Sequence, residues 1–283
     1  FDVYFGTNAS SLTKVADDIA TLSYTPSSLD KNTKYYWKVI ATDPSGSQTS
    51  SVMNFTVPMT PEWSYETDYN VYSVAVSADG EYIVTACANK ICLFEKDNDT
   101  PLWISAPVAG GFDVRSVAIS ADGEYIVAAG DCDDGVSVFD KDSSTALWSY
   151  TTGDCVRTVA ISSDGEYIVA GSYDEKVYLF DKDSSTPLWS YDIGGNVDSV
   201  DISADGEYIV AQEEDQKIYL FRKDSNTLIR SWFLGHSGNG NSNTAITADG
   251  KYVAMLHAAE VEIFDIDSDT HVWTAYIGYG HSV

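Results

Sequence analysis

The chain has 283 residues, with 43 Asp and Glu against 16 Lys and Arg and a formal net charge of −27, yet 44% of it is hydrophobic and 13% aromatic. Apolar content this high is enough to bury a core and excludes intrinsic disorder. The acidic balance disfavours nucleic acid and anionic membrane surfaces, whose phosphates would meet a repulsive field, while cations and proteins stay open as partners.

The chain opens on Phe1 with neither an initiator Met nor a signal-peptide pattern, and is expected to be a trimmed, soluble piece. No apolar run approaches the roughly 20 residues that span a bilayer, so no direct membrane insertion is expected of this segment. Residues 1–58 hold five acids and four bases, so nearly all of the negative charge lies beyond them. Within this stretch Leu29, Thr33, Tyr35, Trp37, Val39 and Ala41 follow a Leu-x3-Thr-x-Tyr-x-aromatic-x-Val-x-Ala pattern. That pattern resembles the last strands of a fibronectin type III domain. The resemblance implies that Tyr35 is the tyrosine-corner residue, bonding back to the backbone, that Trp37 is core, and that FDVYFGT at 1–7 is the third strand. A sandwich of this kind takes roughly 100 residues, so the domain is expected to be incomplete at its N-terminus. Residues 59–61 then form a short, proline-stiffened linker that should hold two modules in a nearly fixed relation.

Residues 62–283 repeat. SVAVSADGEYIV (73–84), SVAISADGEYIV (116–127), TVAISSDGEYIV (158–169), SVDISADGEYIV (199–210) and the degraded NTAITADGKYVA (243–254) place Asp-Gly pairs at 79, 122, 164, 205 and 249, a period of 41 to 44 residues. Each is followed by a strand ending in Phe94, Phe139, Phe180, Phe221 or Phe264, an Asp/Ser/Thr turn, and Trp103, Trp148, Trp189, Trp232 or Trp273. Ser-x-Asp-Gly predicts a hairpin between the first two strands, closed by an Asx-type turn and a glycine at positive φ. Four short strands per unit, at this period, predict β-propeller blades that bury their faces only against each other. The predicted class is all-β, a fibronectin-like sandwich followed by a propeller. Five complete blades fall at about 72–105, 114–150, 156–192, 197–234 and 241–276, and six to eight are expected in all.

The stretch GEYIVAGSYDEKVYLFDKDSSTPLWSY (165–191) resembles WD-repeat and quinoprotein-like propellers of large archaeal or bacterial surface proteins. Phe-Asp or Phe-Glu replaces the usual Trp-Asp. Quinone-dependent dehydrogenases of this type pair a catalytic Asp and calcium with adjacent cysteines, and no Cys-Cys pair exists here. PEWSYET (61–67) reads as a fourth strand without a blade of its own. IGYGHSV (277–283) aligns with IGGNVDSV (193–200), so a further blade is expected to begin at the C-terminal end and the propeller to be truncated there.

Candidate binding residues come from breaks in the repeat. At the start of the innermost strand, where side chains would ring one mouth of the channel, stand Tyr72, Arg115, Arg157, Asp198, Ser242 and His281. Asp201 replaces an alanine further along the same strand. Arg157, Asp198 and Asp201, with Glu213, Glu214 and Asp215 in the neighbouring loop, make the best ligand or ion site, against a plain reading as a wet, solvated channel. The turn DIDSD offers Asp265, Asp267 and Asp269 to Ca2+, but lacks the glycine and distal carboxylate of a calcium loop, so local turn bonding competes with that reading. No cofactor other than Ca2+ is suggested.

Cys132 and Cys155, in neighbouring loops on one face, are a candidate disulfide. Cys87 and Cys92 flank a tight hairpin and are a weaker one, with free thiols as the alternative for both. Asn8, Asn54 and Asn98 sit in glycosylation sequons, about as many as chance supplies. The four histidines form no ligand spacing, and no nucleophile-elbow or phosphate-loop motif appears, which argues against an enzyme. The expectation is an extracellular, cell-surface, non-catalytic protein for structure, assembly or adhesion in a surface layer, sheath or filament. It would self-associate or bind other surface proteins. The alternatives are a propeller binding a protein, glycan or divalent cation, and a quinone-dependent dehydrogenase fragment.

Overall fold

The computed structural model describes residues 1–17, 19, 23–43, 46–57, 61–67, 70–106, 113–130, 135–214, 217–233, 243–257, 260–268 and 271–276. The chain separates into two compact units, Phe1–Ser64 and Tyr65–Val283.

In the first unit β1 (Asp2–Gly6), β2 (Thr13–Ala16), β3 (Lys34–Asp43), β4 (Gly46–Thr49) and β5 (Met53–Thr56) form one antiparallel sheet, ordered β2-β1-β3-β4 with β5 also on β3. Alternation sorts its side chains by face. Phe5 stacks on Tyr35 with ring centroids 5.0 Å apart, and Phe55 lies 5.9 Å from Tyr35. On the same side Val3, Phe5, Trp37, Val39 and Phe55 line a cavity of about 610 Å3. Tyr4 and Tyr36 instead carry the ammonium groups of Lys38 and Lys34, 5.0 and 5.5 Å from their centroids. The Tyr35 hydroxyl accepts the Asp30 N–H at 2.9 Å.

The second unit holds, among its described residues, five four-stranded antiparallel sheets, each with its strands in chain order. The first comprises β6 (Val71–Val76), β7 (Tyr82–Cys87), β8 (Lys90–Glu95) and β9 (Trp103–Ile104), and the second β10 (Val114–Ile119), β11 (Tyr125–Gly130), β12 (Val136–Asp140) and β13 (Ala146–Tyr150). The third is β14 (Val156–Ile161), β15 (Tyr167–Ser172), β16 (Lys176–Asp181) and β17 (Trp189–Asp192). The fourth is β18 (Val197–Ile202), β19 (Tyr208–Glu213), β20 (Lys217–Arg222) and β21 (Ser225–Phe233), and the fifth β22 (Asn243–Ile246), β23 (Tyr252–His257), β24 (Glu260–Asp265) and β25 (His271–Tyr276). First strands touch first strands in succession, β6 to β10 to β14 to β18 to β22, which makes them innermost in a propeller-like array.

The repeated residues explain both the hairpin and the stacking. Ser203 donates its hydroxyl to Asp205 at 2.7 Å, while Asp205 accepts the Glu207 N–H and Ser203 Oγ accepts the Tyr208 N–H, each at 3.0 Å. Gly206 takes φ +71°, and a Cβ there would stand 2.5 Å from Cδ2 of Tyr167 in the preceding sheet. Turn and packing therefore both require that glycine. Neighbouring turns also bond to each other: Ala78 N–H to Ala121 O, Ala121 N–H to Ser163 O, Ser163 N–H to Ala204 O and Ala204 N–H to Ala248 O, at 2.9 to 3.1 Å.

Between the sheets lie apolar clusters such as that of Val169, Leu179, Val200, Ile209 and Phe221. The outer-strand tryptophans seal the rim. The indoles of Trp103, Trp148 and Trp189 donate to the carbonyls of Lys141, Lys182 and Lys223 in the next sheet at 2.6, 2.6 and 2.9 Å. Trp189 also lies 5.5 Å from Phe221, and Tyr191 lies 5.0 Å from the same ring.

The first sheet differs on one side. Val74 is 61% exposed, whereas Val117, Val159 and Val200 at the same repeat position are 6% exposed each; Val71 and Val76 are also exposed.

Candidate functional site

The mouth residues owe their orientation to a break in the ladder. In the second, third and fourth sheets Val114, Val156 and Val197 pair with Gly130, Ser172 and Glu213, but the next pairs are Ser116–Ala129, Thr158–Gly171 and Ser199–Gln212. Arg115, Arg157 and Asp198 are thus the extra residues of β-bulges, and in the first sheet Tyr72 lies in the corresponding skip between Val71 and Val74. A bulge frees its residue from pairing and re-aims the side chain. Each is the second residue of its strand rather than the first, because pairing resumes before the bulge. Ser242 and His281 lie outside the described residues.

These side chains are held by one another. The Arg115 guanidinium lies 4.4 Å from the Tyr72 ring centroid and 3.9 Å from Asp113. Arg157 stands 5.5 Å over Tyr173, whose hydroxyl is 3.4 Å from Asp198 Oδ1. Burial lifts the Asp198 carboxyl above the usual range against the pull of Arg157, and burial also raises the Tyr173 phenol. Beside them Asn196 donates to Glu214 at 3.0 Å. The result is an Arg-Tyr-Asp chain, with Arg157 exposed and Tyr173 and Asp198 half-buried, that offers hydrogen-bonding groups of both kinds and is suited to holding a polar ligand.

Asp201 turns away from this chain. Its carboxylate accepts the Ile202 N–H at 2.9 Å and, across the sheet boundary, the Ile246 N–H at 2.8 Å. Burial pushes its carboxyl up, and those two amides pull it back. It joins two sheets where Ser73, Ser116, Thr158 and Ser199 also join them, accepting the N–H of Val117, Val159, Val200 and Thr244. Glu213 is not a loop residue: it ends β19, is buried, and accepts the Tyr219 hydroxyl at 2.9 Å. Asp215 lies outside the described residues.

Asp265 accepts the Asp267 and Ser268 N–H groups at 2.9 and 3.3 Å, which is local turn bonding; Asp269 lies outside the described residues. Among the described residues no group of three or more His, Cys, Asp or Glu is placed to hold a metal ion. Cys155 is disulfide-bonded, and Cys132 lies outside the described residues. Cys87 and Cys92 carry free thiols.

Tyr173 and Gln212 escape a reading confined to innermost strands. Tyr173 follows β15 and reaches the mouth only through folding. Gln212 is fully buried, its amide without a partner among the described residues, where the first three sheets have the small residues Ala86, Ala129 and Gly171 and the fifth has Leu256. That size change was the available signal.

A family model described as outer membrane protein assembly factor BamB matches residues 56–231 and again residues 133–281. The chain belongs to this family. The two matches to the BamB model overlap over 133–231, as expected where one repeat-based model can be laid on a periodic chain in more than one register. The BamB match and the four-stranded sheets agree on a quinoprotein-like, propeller-type repeat. No curated protein matches the chain.

Proposed function

We propose that this chain is a non-catalytic, exported surface protein whose BamB-like propeller and fibronectin-like unit act as assembly or adhesion modules in a surface layer, sheath or filament. Its partners are proteins, further copies of itself included. The carrying observation is the bare side of the first sheet, where Val71, Val74 and Val76 are exposed while the counterparts of Val74 are buried between sheets. In the other sheets this face is covered by a neighbouring blade, so in the first sheet it is a surface to be covered, by a further blade of the ring or by another protein. The family description, an assembly factor, points the same way.

Residues 61–67 are the outer strand of a further blade in a ring of six to eight, a reading supported by Tyr65 lying on Phe94 as Tyr191 lies on Phe221. The fibronectin-like reading of the first unit is supported by the Tyr35 hydroxyl bond to the backbone of Asp30, by the one-sided apolar sheet and by its strand order. Export is supported by the disulfide at Cys155 and by a surface charge suited to solubility outside the cell.

Sedimentation velocity over a concentration series tests the assembly reading. The wild-type chain should associate, and Val74→Lys should weaken association at least tenfold with an unchanged circular dichroism spectrum. A wild-type chain that stays monomeric throughout would overturn it.

A second reading, a binding module for a glycan or divalent cation at the channel mouth, is favoured by the Arg157-Tyr173-Asp198 chain. Titration calorimetry with Ca2+ and with oligosaccharides should then show heat that Asp198→Ala abolishes. Equal heat from both proteins would remove this site.

A further inference from the structure

On β7 and β8, Thr85 stands directly opposite Cys92, and Cys87 lies two residues further along β7, on the same face as Thr85. The two sulfurs are 3.1 Å apart, and Thr85 Oγ1 is 3.0 Å from Cys87 Sγ. Between the strands the chain turns through Ala88 and Asn89, Ala88 at φ +53°, so the hairpin holds its ends close. The two sulfurs differ in access. Cys87 is half-buried and Cys92 is buried, and both line a cavity of about 110 Å3 with Tyr65, Glu66, Lys90 and Ile104. Lys90, paired with Cys87 across the turn, brings a positive charge to that cavity.

We propose that Cys87 and Cys92 form a redox-active dithiol that reacts with small-molecule disulfides, Cys87 as the attacking thiolate and Cys92 as the resolving thiol. Cys87 S⁻ attacks one sulfur of the small disulfide, forming a mixed disulfide and releasing the first thiolate. Cys92 then loses its proton and attacks Cys87 Sγ, releasing the second thiolate, which takes up that proton. From this thiolate-thiol state the chain loses two electrons and one proton, and the small disulfide becomes one thiol and one thiolate, which is protonated by water. The asymmetry of the pair selects the order of events. The hydrogen bond from Cys92 draws the Cys87 thiol down to about 6 against the effect of burial, while that same bond and burial push Cys92 up. A low-pKa, accessible thiol beside a buried partner is the arrangement that exchange requires.

Oxidised glutathione is the probe. In the wild-type chain, peptide mapping should find Cys87 and Cys92 joined, with the loss of two hydrogens. At pH 8, Cys92→Ser should trap one glutathione on Cys87, and Cys87→Ser should leave Cys92 unmodified over the same time. Alkylation of wild-type Cys87 by iodoacetamide gives a readout that needs no variant, with a midpoint near pH 6. Against a free cysteine of pKa about 8.5, the gain in thiolate less the loss in nucleophilicity makes Cys87 about tenfold faster at pH 6 and about twofold at pH 7, with the advantage gone by pH 8. In Cys92→Ala, which removes the donor, that midpoint should rise. A Cys87 midpoint at or above 8, or glutathione treatment that leaves the wild-type pair unjoined, would overturn the proposal.

Discussion

Tyr65 meets Phe94 with ring centroids 5.1 Å apart and planes at 64°, a contact that Tyr150 and Phe180 repeat at 5.2 Å and 63°. In the later pair the tyrosine belongs to the outer strand of one sheet and the phenylalanine to the third strand of the next. Tyr65 therefore packs on the first propeller-type sheet as an outer-strand tyrosine packs on the next one, although residues 61–67 form no strand and no four-stranded sheet precedes it among the described residues. Truncating it should expose Phe94, which is otherwise buried. Tyr65→Ala is expected to lower stability by roughly 1–2 kcal/mol, and Tyr150→Ala, with a second aromatic neighbour in Tyr178, by somewhat more. Urea titration of both variants checks the order; a neutral Tyr65→Ala would sever the analogy.

Two glycines separate backbone conformation from packing. Gly206 and Gly194 have φ of +71° and +82°, but an added Cβ clashes with Tyr167 at the first and meets nothing within 4 Å at the second. Gly194→Ala should cost roughly 1 kcal/mol from backbone strain alone, and Gly206→Ala roughly 2–4 kcal/mol because Tyr167 must also move. Equal losses in thermal denaturation would show that the Tyr167 contact contributes nothing.

The hairpin carboxylates set an acid limit. Hydroxyl bonds from Ser77, Ser203 and Thr247 hold Asp79, Asp205 and Asp249 below their ordinary value of 3.8. A depressed folded-state pKa stabilises the protein fully above the unfolded value, and that contribution is lost as pH falls through the folded one. Stability should thus be flat in these groups above pH 5 and drop below about 3.8. Replacing all three by Asn should flatten that drop, measured as chemical denaturation midpoints from pH 5 to pH 2. An identical acid profile in the triple variant would exclude these turns as its source.

Asp198 and Asp201 should respond in opposite ways. Asp201 accepts two backbone N–H groups, so Asp201→Ala leaves both unpaired and is expected to cost roughly 2–4 kcal/mol, while Asp201→Asn keeps one acceptor and loses less. Asp198 has its carboxyl raised by burial, which means that its charge opposes folding near neutrality and that protonation relieves the opposition as pH falls through the folded value. Asp198→Asn should then match or slightly exceed wild-type stability at pH 7. Thermal melts of the two variants decide this; a large loss at Asp198 would make it structural.

Periodicity made the sheets legible before any coordinates. The Ser-x-Asp-Gly turns, the buried phenylalanines and the outer tryptophans all lie where a 41-to-44-residue repeat puts them, because each residue's role is set within its own unit or the next. The site was legible only in part. Tyr72, Arg115, Arg157 and Asp198 stand out as unlike residues at one repeat position, but nothing local reveals that a bulge re-aims them. Nor does it reveal that Tyr173, from another strand connection, sits between Arg157 and Asp198. Asp201 reads as a mouth carboxylate because its repeat position was known, whereas its amide partner lies 45 residues away.

By itself the sequence determined the unit: four strands, the turn between the first two, and the residues buried between neighbouring units. These follow from φ preferences, alternation and hydrogen bonding over a few residues. Only the tertiary structure decided which polar side chains face one another across units, that Cys87 and Cys92 bring their sulfurs to 3.1 Å, and that one side of the first sheet is bare. Such relations depend on strand register and on the stacking of whole sheets, which place residues far apart in the chain within a few ångströms.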